Sequence, residues 1–447
     1  MNTQVWCESV LVDGRPQRGV LIDILNGRFA TITADAEPGS ATRLSGFTMP
    51  GLANAHSHAF HRALRSRTQA DRGTFWTWRD LMYRAAERLE PDSYGRLARA
   101  VFAEMALAGV SCVGEFHYVH HQVDGTEYSD PNEMGVALLA AADDVGIRIT
   151  LLDTLYLHGG CGASGYNEPF GVQRRFSDGT ASAWADRLNR LASGNTHRVG
   201  AAIHSVRAVD PRSMQVVADW AATHQAPLHA HVSEQVAENE ACTAYHGSSP
   251  IEVLAASGVV TNRFSAVHAT HLSGRDIERL AAAAAMVVMC PTTERDLGDG
   301  IGPTSRFAEQ GIGMSLGSDS HAVIDLFEEA RALELDERLR SNERGIHAAS
   351  DLLNMATING HRSLGWNDAG SIAVGNRADL VTIGLDSVRT AGTTTEGAIE
   401  TAVFAGTATD VTDVYIDGRR IIAEGRHSTI DVAAELDAAI KELMDDA

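Results

Sequence analysis

Short apolar runs alternate with longer amphipathic segments along the chain, from about residue 47 to about residue 370. The apolar runs have the length and composition of buried strands, and apolar residues in the intervening segments recur at helical spacing. This pattern predicts eight strands that end near Asn54, Glu115, Leu155, Ile203, His231, His268, Cys290 and Ser318. Predicted helices between them include residues 92–108, 133–145, 181–191, 211–224, 275–284 and 324–339. Eight strands that alternate with helices predict a (β/α)8 TIM-like barrel of the α/β class.

The two ends of the chain show a different pattern, in which short strand-like runs are separated by tight turns. Asp13-Gly14 and Asn26-Gly27 are hairpin signals within the first 47 residues. After about residue 370, a strand-like run at 378–383 is followed by two more around Asp417-Gly418 and by a closing helix at 431–444. We therefore predict two domains: a small β-sandwich domain formed by residues 1–47 and 371–447, and a barrel formed by residues 48–370.

The composition narrows the classes of function. The net charge of −21 argues against binding to nucleic acid or to an anionic membrane surface. The five cysteines include no Cys-x-x-Cys pair, which favours a reducing compartment. The sequence also has neither a signal-like N-terminus nor an uninterrupted apolar run of about 18 residues. We expect a cytoplasmic protein that binds a small molecule.

Candidate metal ligands lie at the predicted carboxyl ends of the strands, where barrel enzymes place their active sites. His56 and His58 are two residues apart at the end of the first strand, so their side chains would share one face. His231, His268 and Asp319 follow at the ends of strands five, six and eight. Imidazoles combined with a carboxylate suit Zn²⁺ with one open position, and Fe²⁺ or Mn²⁺ also accept such ligands.

Several of these residues have a simpler interpretation. A histidine at a strand end is commonly a hydrogen-bonded structural residue, and Asp319 could cap a following helix. His229 could replace His231 as a ligand, and Glu115 could reach a second metal ion. The joint occurrence of the candidates at the ends of different strands nevertheless favours a metal site. The only lysine is Lys441, near the C-terminus, so the sequence favours one metal ion over a lysine-bridged pair.

The same residues predict hydrolytic chemistry. A metal ion lowers the pKa of a bound water toward ~7, which makes it a nucleophile at neutral pH. Asp319 could take the proton of this water, and His268 could orient the water or stabilise a tetrahedral species. Glu234, three residues after His231, could pair with a cationic leaving nitrogen and protonate it. Glu234 could also be an acid in the first turn of a helix.

Longer motifs add a resemblance to known enzymes. Met49-Pro50-Gly51, Gly317-Ser318-Asp319 and residues 370–381 are typical of the amidohydrolase superfamily, which the chain resembles over nearly its whole length. Five more specific segments are residues 75–84, 114–121, 204–209, 267–272 and 290–294. On these segments the chain resembles the formimidoylglutamate deiminase family, whose enzymes act in histidine degradation.

The resemblance implies hydrolysis of N-formimino-L-glutamate to N-formyl-L-glutamate and ammonia. It implies one zinc ion per chain and a homodimer. The implied zinc ligands are His56, His58, His231 and Asp319, and the implied catalytic residues are Glu234, His268 and Asp319. The implied substrate-binding residues are His61, Arg79, Tyr118, His204 and Arg207.

Two arginines are well suited to such a substrate, because each can grip one carboxylate with two parallel hydrogen bonds. Arg79 could instead be a residue of a helix surface, and Arg207 part of an ordinary loop salt bridge. His61, where the resemblance leads us to expect Gln, and Arg295-Asp296 depart from the family pattern. Another mononuclear deaminase, acting on a nucleobase-like or a different formimino substrate, and a non-catalytic scaffold barrel are the alternative hypotheses.

Overall fold

The structure is a computed structural model that describes residues 2–69, 73 and 75–444. Within these residues the strands are β1 (Asn2–Val12), β2 (Arg15–Leu25), β3 (Arg28–Thr33), β4 (Thr42–Pro50), β5 (Leu52–Ser57), β6 (Val110–His117), β7 (Arg148–Leu155), β8 (Gly160–Gly162), β9 (Gly165–Asn167), β10 (His197–Ile203), β11 (Leu228–Val232), β12 (Phe264–His268), β13 (Met286–Met289), β14 (Gly313–Leu316), β15 (Leu380–Ile383), β16 (Val411–Ile416), β17 (Arg419–Ala423) and β18 (Arg426–His427).

The α-helices of the same residues lie mostly between the barrel strands. They are α1 (Phe75–Arg88), α2 (Pro91–Leu107), α3 (Glu133–Val145), α4 (Ala181–Leu188), α5 (Pro211–His224), α6 (Val236–His246), α7 (Pro250–Ala256), α8 (Gly274–Ala282), α9 (Pro291–Leu297), α10 (Thr304–Glu309), α11 (Leu326–Ser341), α12 (Ala349–Asn354), α13 (Gly360–Ser363), α14 (Ala398–Phe404) and α15 (Val432–Met444). Short 3₁₀ turns occupy Ala59–Leu64, Gly171–Phe176 and Ala408–Asp410, and a π-helical turn at Met355–Asn359 joins α12 to α13.

Eight parallel strands form a nearly closed barrel in the order β5-β6-β7-β10-β11-β12-β13-β14. Every residue of β6 and β7 is buried, because the barrel interior covers one face of these strands and the helices cover the other. The predicted (β/α)8 barrel is confirmed. Each predicted strand end lies within three residues of the observed one.

The barrel closes between β5 and the segment that follows β14. The Asp319 amide donates to the His56 carbonyl at 3.0 Å, and the His58 amide donates to the Asp319 carbonyl at 3.3 Å. Gly317 allows this close approach, because a Cβ atom at this position would lie 2.7 Å from that of His56. Closure of the barrel therefore brings Asp319 beside the two histidines of β5.

Both ends of the chain build a second sheet in the order β3-β2-β1-β4-β15-β16-β17-β18. In this sheet β4 pairs in parallel with β1 and antiparallel with β15, so the C-terminal strands continue the N-terminal sheet. A separate apolar cluster, which includes Val5, Ile22, Phe29 and Leu380, is buried in it. The β structure predicted from both chain ends is confirmed, and the domain boundaries near residues 47 and 371 stay a prediction.

Side chains that cap helices fix where several of them begin. Asp210 accepts hydrogen bonds from the Arg212 and Ser213 amides at the start of α5, and Asp325 caps α11 in the same way. Among the helices of the described residues, none combines the length and the apolar character needed to cross a membrane.

Candidate metal centre and active site

Four predicted ligands converge at the carboxyl end of the barrel. His56 and His58 come from the end of β5, His231 from β11, and Asp319 from the loop after β14. The Nε2 atom of His231 lies 3.1 Å from that of His56 and 3.4 Å from that of His58. Asp319 Oδ1 lies 3.2 Å from His56 Nε2 and 3.4 Å from His58 Nε2. All four side chains are buried.

Hydrogen bonds on the far side of the rings support metal binding. His58 Nδ1 lies 3.0 Å from the Phe116 carbonyl, and His231 Nδ1 lies 2.9 Å from the His204 carbonyl. Each Nδ1 therefore donates its proton to a carbonyl, and each Nε2 directs a lone pair toward the other. Two facing lone pairs at this distance repel unless a cation lies between them. Tetrahedral Zn²⁺ with bonds of about 2.0–2.1 Å separates its ligand atoms by about 3.3–3.4 Å, close to the spacing seen here.

The protonation states also suit a cation. Burial lowers the pKa of His56 and holds the pKa values of His58 and His231 well below the ordinary range, so these imidazoles are neutral. Burial alone would raise the pKa of Asp319, but the hydrogen bond with His56 and the charge of His268 hold it well below its usual value. The four groups thus present neutral nitrogens and one carboxylate, the forms in which they bind metal.

Two further predicted residues face this cluster. His268, the last residue of β12, places its Nε2 3.9 Å from Asp319 Oδ2 and 3.9 Å from Glu234 Oε1. Glu234 and His268 are buried, and both line the same cavity as His58, His231 and Asp319. Burial raises the pKa of Glu234, although the charges of His268 and Arg207 oppose the shift. Burial therefore favours the protonated form of the Glu234 carboxyl group.

The predicted substrate-binding residues line the same cavity: His61, Arg79, Tyr118, His204 and Arg207. His61 Nε2 lies 3.1 Å from the Tyr118 hydroxyl, and burial lowers the pKa of His61 to about 3. Burial, aided by the charge of Arg207, likewise lowers the pKa of His204 to about 3. Both imidazoles are thus neutral hydrogen-bonding groups at physiological pH.

The two arginines have different surroundings. The Arg79 guanidinium lies 4.3 Å from the centre of the Trp76 ring and has no acidic partner among the described residues. Its Nε is buried without a hydrogen-bond partner. Arg207 Nε lies 3.3 Å from Glu238 Oε2, so a carboxylate already balances this charge in part. Within the part of the chain that the structure describes, Arg79 therefore brings a positive charge to the cavity without a paired carboxylate.

Four alternatives raised by the sequence do not match the geometry. His229 lies 2.9 Å through its Nε2 from the Ser363 carbonyl, away from the metal cluster. Asp325, not Asp319, caps α11. Glu234 precedes α6 and its N-cap, so it is not a first-turn acid. The Glu115 carboxyl contacts the Ser57 hydroxyl at 2.6 Å and the Ala59 amide at 2.7 Å, so both of its oxygens already take part in hydrogen bonds.

A second buried group, His117, His120 and Asp153, also brings potential ligands together. The Asp153 carboxylate accepts hydrogen bonds from Trp184 Nε1 at 2.9 Å and from Arg187 Nη1 and Nη2 at 2.8 Å each. The guanidinium already compensates the carboxylate and would repel a metal ion. This group is therefore structural.

A comparison with known protein families bears on this arrangement. The family model described as "Amidohydrolase family" matches residues 47–421. The chain belongs to the amidohydrolase family. It is 37% identical over 441 residues to the formimidoylglutamate deiminase of Pseudomonas aeruginosa, with 95% of each chain covered. The prediction that this amidohydrolase is an enzyme is confirmed at the level of the family.

Solved structures agree with this assignment. An amidohydrolase from Brucella melitensis matches with a TM-score of 0.90 and 31% identity, and 99% of each chain is covered. An adenosine deaminase from Xanthomonas campestris with bound zinc matches with a TM-score of 0.83 over 98% of this chain and 97% of that one. Its identity of 23% shows a shared fold only.

Sequence reasoning missed two carboxylates that support the active site of this amidohydrolase. Glu294, in α9, places Oε1 3.3 Å from His268 Nδ1 and accepts the Cys290 amide at 2.9 Å. Glu238, in α6, is buried beside Arg207 and accepts the Ser233 amide at 3.1 Å. Glu294 lies inside one of the family-typical segments, which was the only available signal for it. Glu238 carried no comparable signal.

Strained backbone is concentrated at the same place. Ser233, His268, Ala269 and Asp319 all have positive φ angles, between 41° and 67°. Such angles are uncommon for residues other than glycine and cost of order 1–3 kcal/mol each, so the surrounding packing must hold them. His268 and Asp319 are candidate catalytic or ligand residues, and Ser233 directly precedes the candidate Glu234. The strain therefore accompanies the placement of Glu234, His268 and Asp319 around one point.

Proposed function

We propose that the protein hydrolyses N-formimino-L-glutamate to N-formyl-L-glutamate and ammonia, as a step of histidine degradation. The single observation that carries the proposal is the convergence of three imidazoles and Asp319 beside Glu234, in a cavity that also contains two arginines. The 37% identity to a formimidoylglutamate deiminase over 95% of each chain supports it. This substrate has one amidine group to be hydrolysed and two carboxylates to be bound.

We propose Zn²⁺ as the metal, with His56, His58, His231 and Asp319 as its ligands. Fe²⁺ and Mn²⁺ accept similar donors, so the measured metal content decides between them. When bound, the ion would supply Lewis acidity that lowers the pKa of a water molecule toward ~7. The neutral imidazoles and the ionised Asp319 support this assignment.

The side chains around the ligands divide the proton transfers among them. Asp319 would accept a proton from the attacking water, whose oxygen bonds to the formimino carbon. Glu234 would donate a proton to the imine nitrogen, and its raised pKa suits this role. His268 Nε2 faces both carboxylates and would stabilise the oxygen of the tetrahedral species.

Collapse of the tetrahedral species would complete the reaction. The bond from carbon to the terminal nitrogen breaks, a carbonyl forms, and the nitrogen leaves as ammonia. Glu234 would transfer one proton to this nitrogen at each of the two stages. The two protons that the water loses, the first by way of Asp319, would replace those that Glu234 gives up. Transfer of the Glu234 proton would make the formimino group a cation, and the resulting Glu234 carboxylate would then pair with it.

The arginines would hold the carboxylates of the substrate. Arg79 and Arg207 each present a planar fork that matches a carboxylate. His61, Tyr118 and His204 would add hydrogen bonds, since all three line the cavity. The His61 and Tyr118 rings pack against His58, and the charge of Arg207 acts on His204.

Metal removal and reconstitution test the proposal. Protein stripped with a chelator should lose ammonia release from N-formimino-L-glutamate, and one equivalent of Zn²⁺ per chain should restore it. The His229→Gln variant is a matched control, because this histidine lies on the same strand as His231 but outside the cluster. Zinc-loaded wild-type protein that releases no ammonia from this substrate would refute the proposal.

A nucleobase-like substrate is the second candidate, because the cavity also contains the aromatic rings of Trp78, Tyr118, Tyr156 and Phe176. Arg79→Met separates the two candidates. Loss of the salt bridge should raise KM for N-formimino-L-glutamate by about 10-fold or more. A ring substrate whose kcat/KM is unchanged by Arg79→Met would favour the second candidate.

A further inference from the structure

A hydrogen-bonded cluster of Tyr83, Tyr156 and Gln173 forms part of the cavity region but has no role in the proposed chemistry. Tyr83 comes from α1, Tyr156 follows β7, and Gln173 lies in the 3₁₀ turn Gly171–Phe176. Gln173 Nε2 lies 3.0 Å from each of the two tyrosine oxygens and 3.2 Å from the Gly159 carbonyl. The two hydroxyls therefore lie beside the same amide nitrogen.

Counting the protons in this cluster shows that one has no acceptor. The Gln173 amide supplies two protons, and these serve two of its three contacts, so neither phenolic proton is needed there. At most one phenolic proton can serve a contact between Tyr83 and Tyr156. The other hydroxyl proton has no acceptor within the cluster. Because Tyr83 and Tyr156 both line the cavity, this remaining proton is available to a ligand.

The two tyrosines lie beside the two arginines of the cavity. The Arg79 guanidinium is 5.3 Å from the centre of the Tyr83 ring. The Tyr156 ring packs edge-on against His204 at 4.7 Å, and the charge of Arg207 acts on the Tyr156 hydroxyl. A carboxylate bound at Arg79 or at Arg207 would therefore lie near one of the two hydroxyls.

The cluster is held rigidly, which gives the hydroxyls a fixed direction. Gln173 is 2% exposed, and its Oε1 accepts the Phe170 amide at 3.2 Å. Two residues later, the buried Arg175 donates to the Ala86 carbonyl at 2.5 Å and to the Leu89 carbonyl at 2.7 Å. These bonds tie the 3₁₀ turn to the end of α1, so Gln173 and Tyr83 keep their relative positions.

We propose that Tyr83 and Tyr156, oriented by Gln173, form a specificity element that donates a hydroxyl hydrogen bond to a substrate carboxylate held by Arg79 or Arg207. The inference rests on the proposed function and extends it to residues that the metal chemistry does not require. The ligand it selects is an amidine or related compound with a carboxylate remote from the reacting carbon. A neutral group of the same size could not use both the guanidinium charge and the hydroxyl proton.

The decisive variant is Tyr83→Phe/Tyr156→Phe, because either hydroxyl can serve the carboxylate when the other is removed. It should raise KM for N-formimino-L-glutamate by about 10- to 100-fold, the usual effect of one hydrogen bond to a charged group. Because the carboxylate is remote from the reacting carbon, kcat should change by less than about threefold. Each single variant should lose less than the double. Tyr415→Phe, in β16 of the terminal sheet, is the matched control and should leave both constants unchanged.

A binding measurement separates this inference from the proposed function. Titration calorimetry of the zinc-loaded protein with glutarate, a dicarboxylate without an amidine, reports carboxylate recognition without turnover. The double variant should raise the Kd of glutarate by about 10- to 100-fold. No glutarate binding by the wild type, or a Kd in the folded double variant within about twofold of the wild type, would overturn the inference. Absence of turnover by the wild type, with intact glutarate binding, would refute the proposed function alone.

Discussion

At the residue scale, His268 is held by a carboxylate that does not face the metal cluster. Glu294 Oε1 contacts His268 Nδ1, which leaves Nε2 directed at Asp319 and Glu234. Burial would lower the pKa of His268, but the charge of Glu234, the hydrogen bond of Glu294 and the charge of Asp319 raise it to about 10. Glu294 thus sets the orientation of this imidazole and, together with Glu234 and Asp319, favours its protonated form.

Replacing Glu294 should therefore reduce turnover without removing the metal. We expect Glu294→Ala to lower kcat by about 10- to 100-fold, because partners of this kind typically contribute that much. Glu294→Gln should lose less, since its amide oxygen can still accept the Nδ1 proton. Zinc content by elemental analysis should equal that of the wild type in both variants.

Glu309→Gln, an exposed site in α10, is the matched control for these variants. A wild-type kcat in Glu294→Ala would contradict a positioning role. Zinc loss in Glu294→Ala would instead mean that Glu294 supports the ligands.

The convergence of the candidate metal ligands could be predicted from the sequence, whereas the residues that support them could not. A histidine pair and single residues at strand ends mark positions that the barrel itself brings together. Glu294, Glu238 and Gln173 act through contacts with residues that only the packing of loops and helices defines. Glu238 illustrates the reason. In the sequence it is an ordinary acidic residue of the first turn of α6, and its contact with Arg207 depends on how the loop after β10 packs against that helix.

At the element scale, a chain of side chains links three barrel strands beneath the metal cluster. Glu115 of β6 contacts the Ser57 hydroxyl of β5 at 2.6 Å, and this hydroxyl lies 3.2 Å from His321 Nε2. His321 Nδ1 is 2.9 Å from the Ser318 hydroxyl, just after β14. Burial raises the pKa of Glu115 to about 8, although the hydrogen bonds of Ser57 and Ala59 oppose the shift. At neutral pH the carboxyl is therefore protonated and can donate within the chain.

This protonation predicts a specific dependence of stability on pH. An unfolded glutamate ionises near pH ~4.3, so between about pH 4.3 and 8 only the unfolded state releases this proton. The contribution of Glu115 to stability is complete below that window and is lost as pH rises through it, by up to about 1.4 kcal/mol per pH unit. Glu115→Gln keeps a donor of the same shape and cannot ionise. Its stability relative to the wild type should therefore increase from pH 5.5 to pH 8.

Urea denaturation midpoints of the two zinc-loaded proteins at pH 5.5, 6.5 and 7.5 provide the measurement. Glu278→Gln, at an exposed position of α8, is the control and should follow the wild type. A constant difference between Glu115→Gln and the wild type across this range would rule out a protonated Glu115.

The barrel strands were predicted accurately from the sequence, whereas a short hairpin beside the cavity was not. Barrel strands are buried on both faces and leave continuous apolar runs, so the strand ends were found to within three residues. The hairpin of β8 and β9 has only three residues in each strand and contains three glycines, which gives no periodic signal. Yet Cys161 and Asn167 of this hairpin line the cavity. Short loop elements that shape the cavity are therefore the part that periodicity misses.

At the scale of the whole molecule, a buried ion pair joins the barrel to the terminal sheet. Arg148, the first residue of β7, donates through Nη1 to Asp379 Oδ1 at 2.9 Å, and its guanidinium faces the Trp366 ring at 5.3 Å. Both side chains of the pair are 1% exposed. The Asp379 carbonyl accepts the Gly51 amide at 3.1 Å, directly between β4 and β5. The pair therefore lies where the chain passes from the sheet into the barrel.

Breaking this pair should destabilise the molecule without touching its chemistry. Asp379→Ala leaves a buried guanidinium without its main partner, a change that typically costs about 3–5 kcal/mol. Asp417 Oδ1, at 3.2 Å from Arg148 Nη1, remains as a second partner, so we expect the lower end of this range. Arg148→Met/Asp379→Ala removes the unpaired charge and should recover part of the loss, because an apolar side chain in the same space avoids the desolvation cost. Urea denaturation midpoints should decrease in the order wild type, double variant, Asp379→Ala. The kcat of the folded protein should be the same in all three. A double variant less stable than Asp379→Ala would mean that the packing of Arg148 against Trp366, and not its charge, joins the two parts.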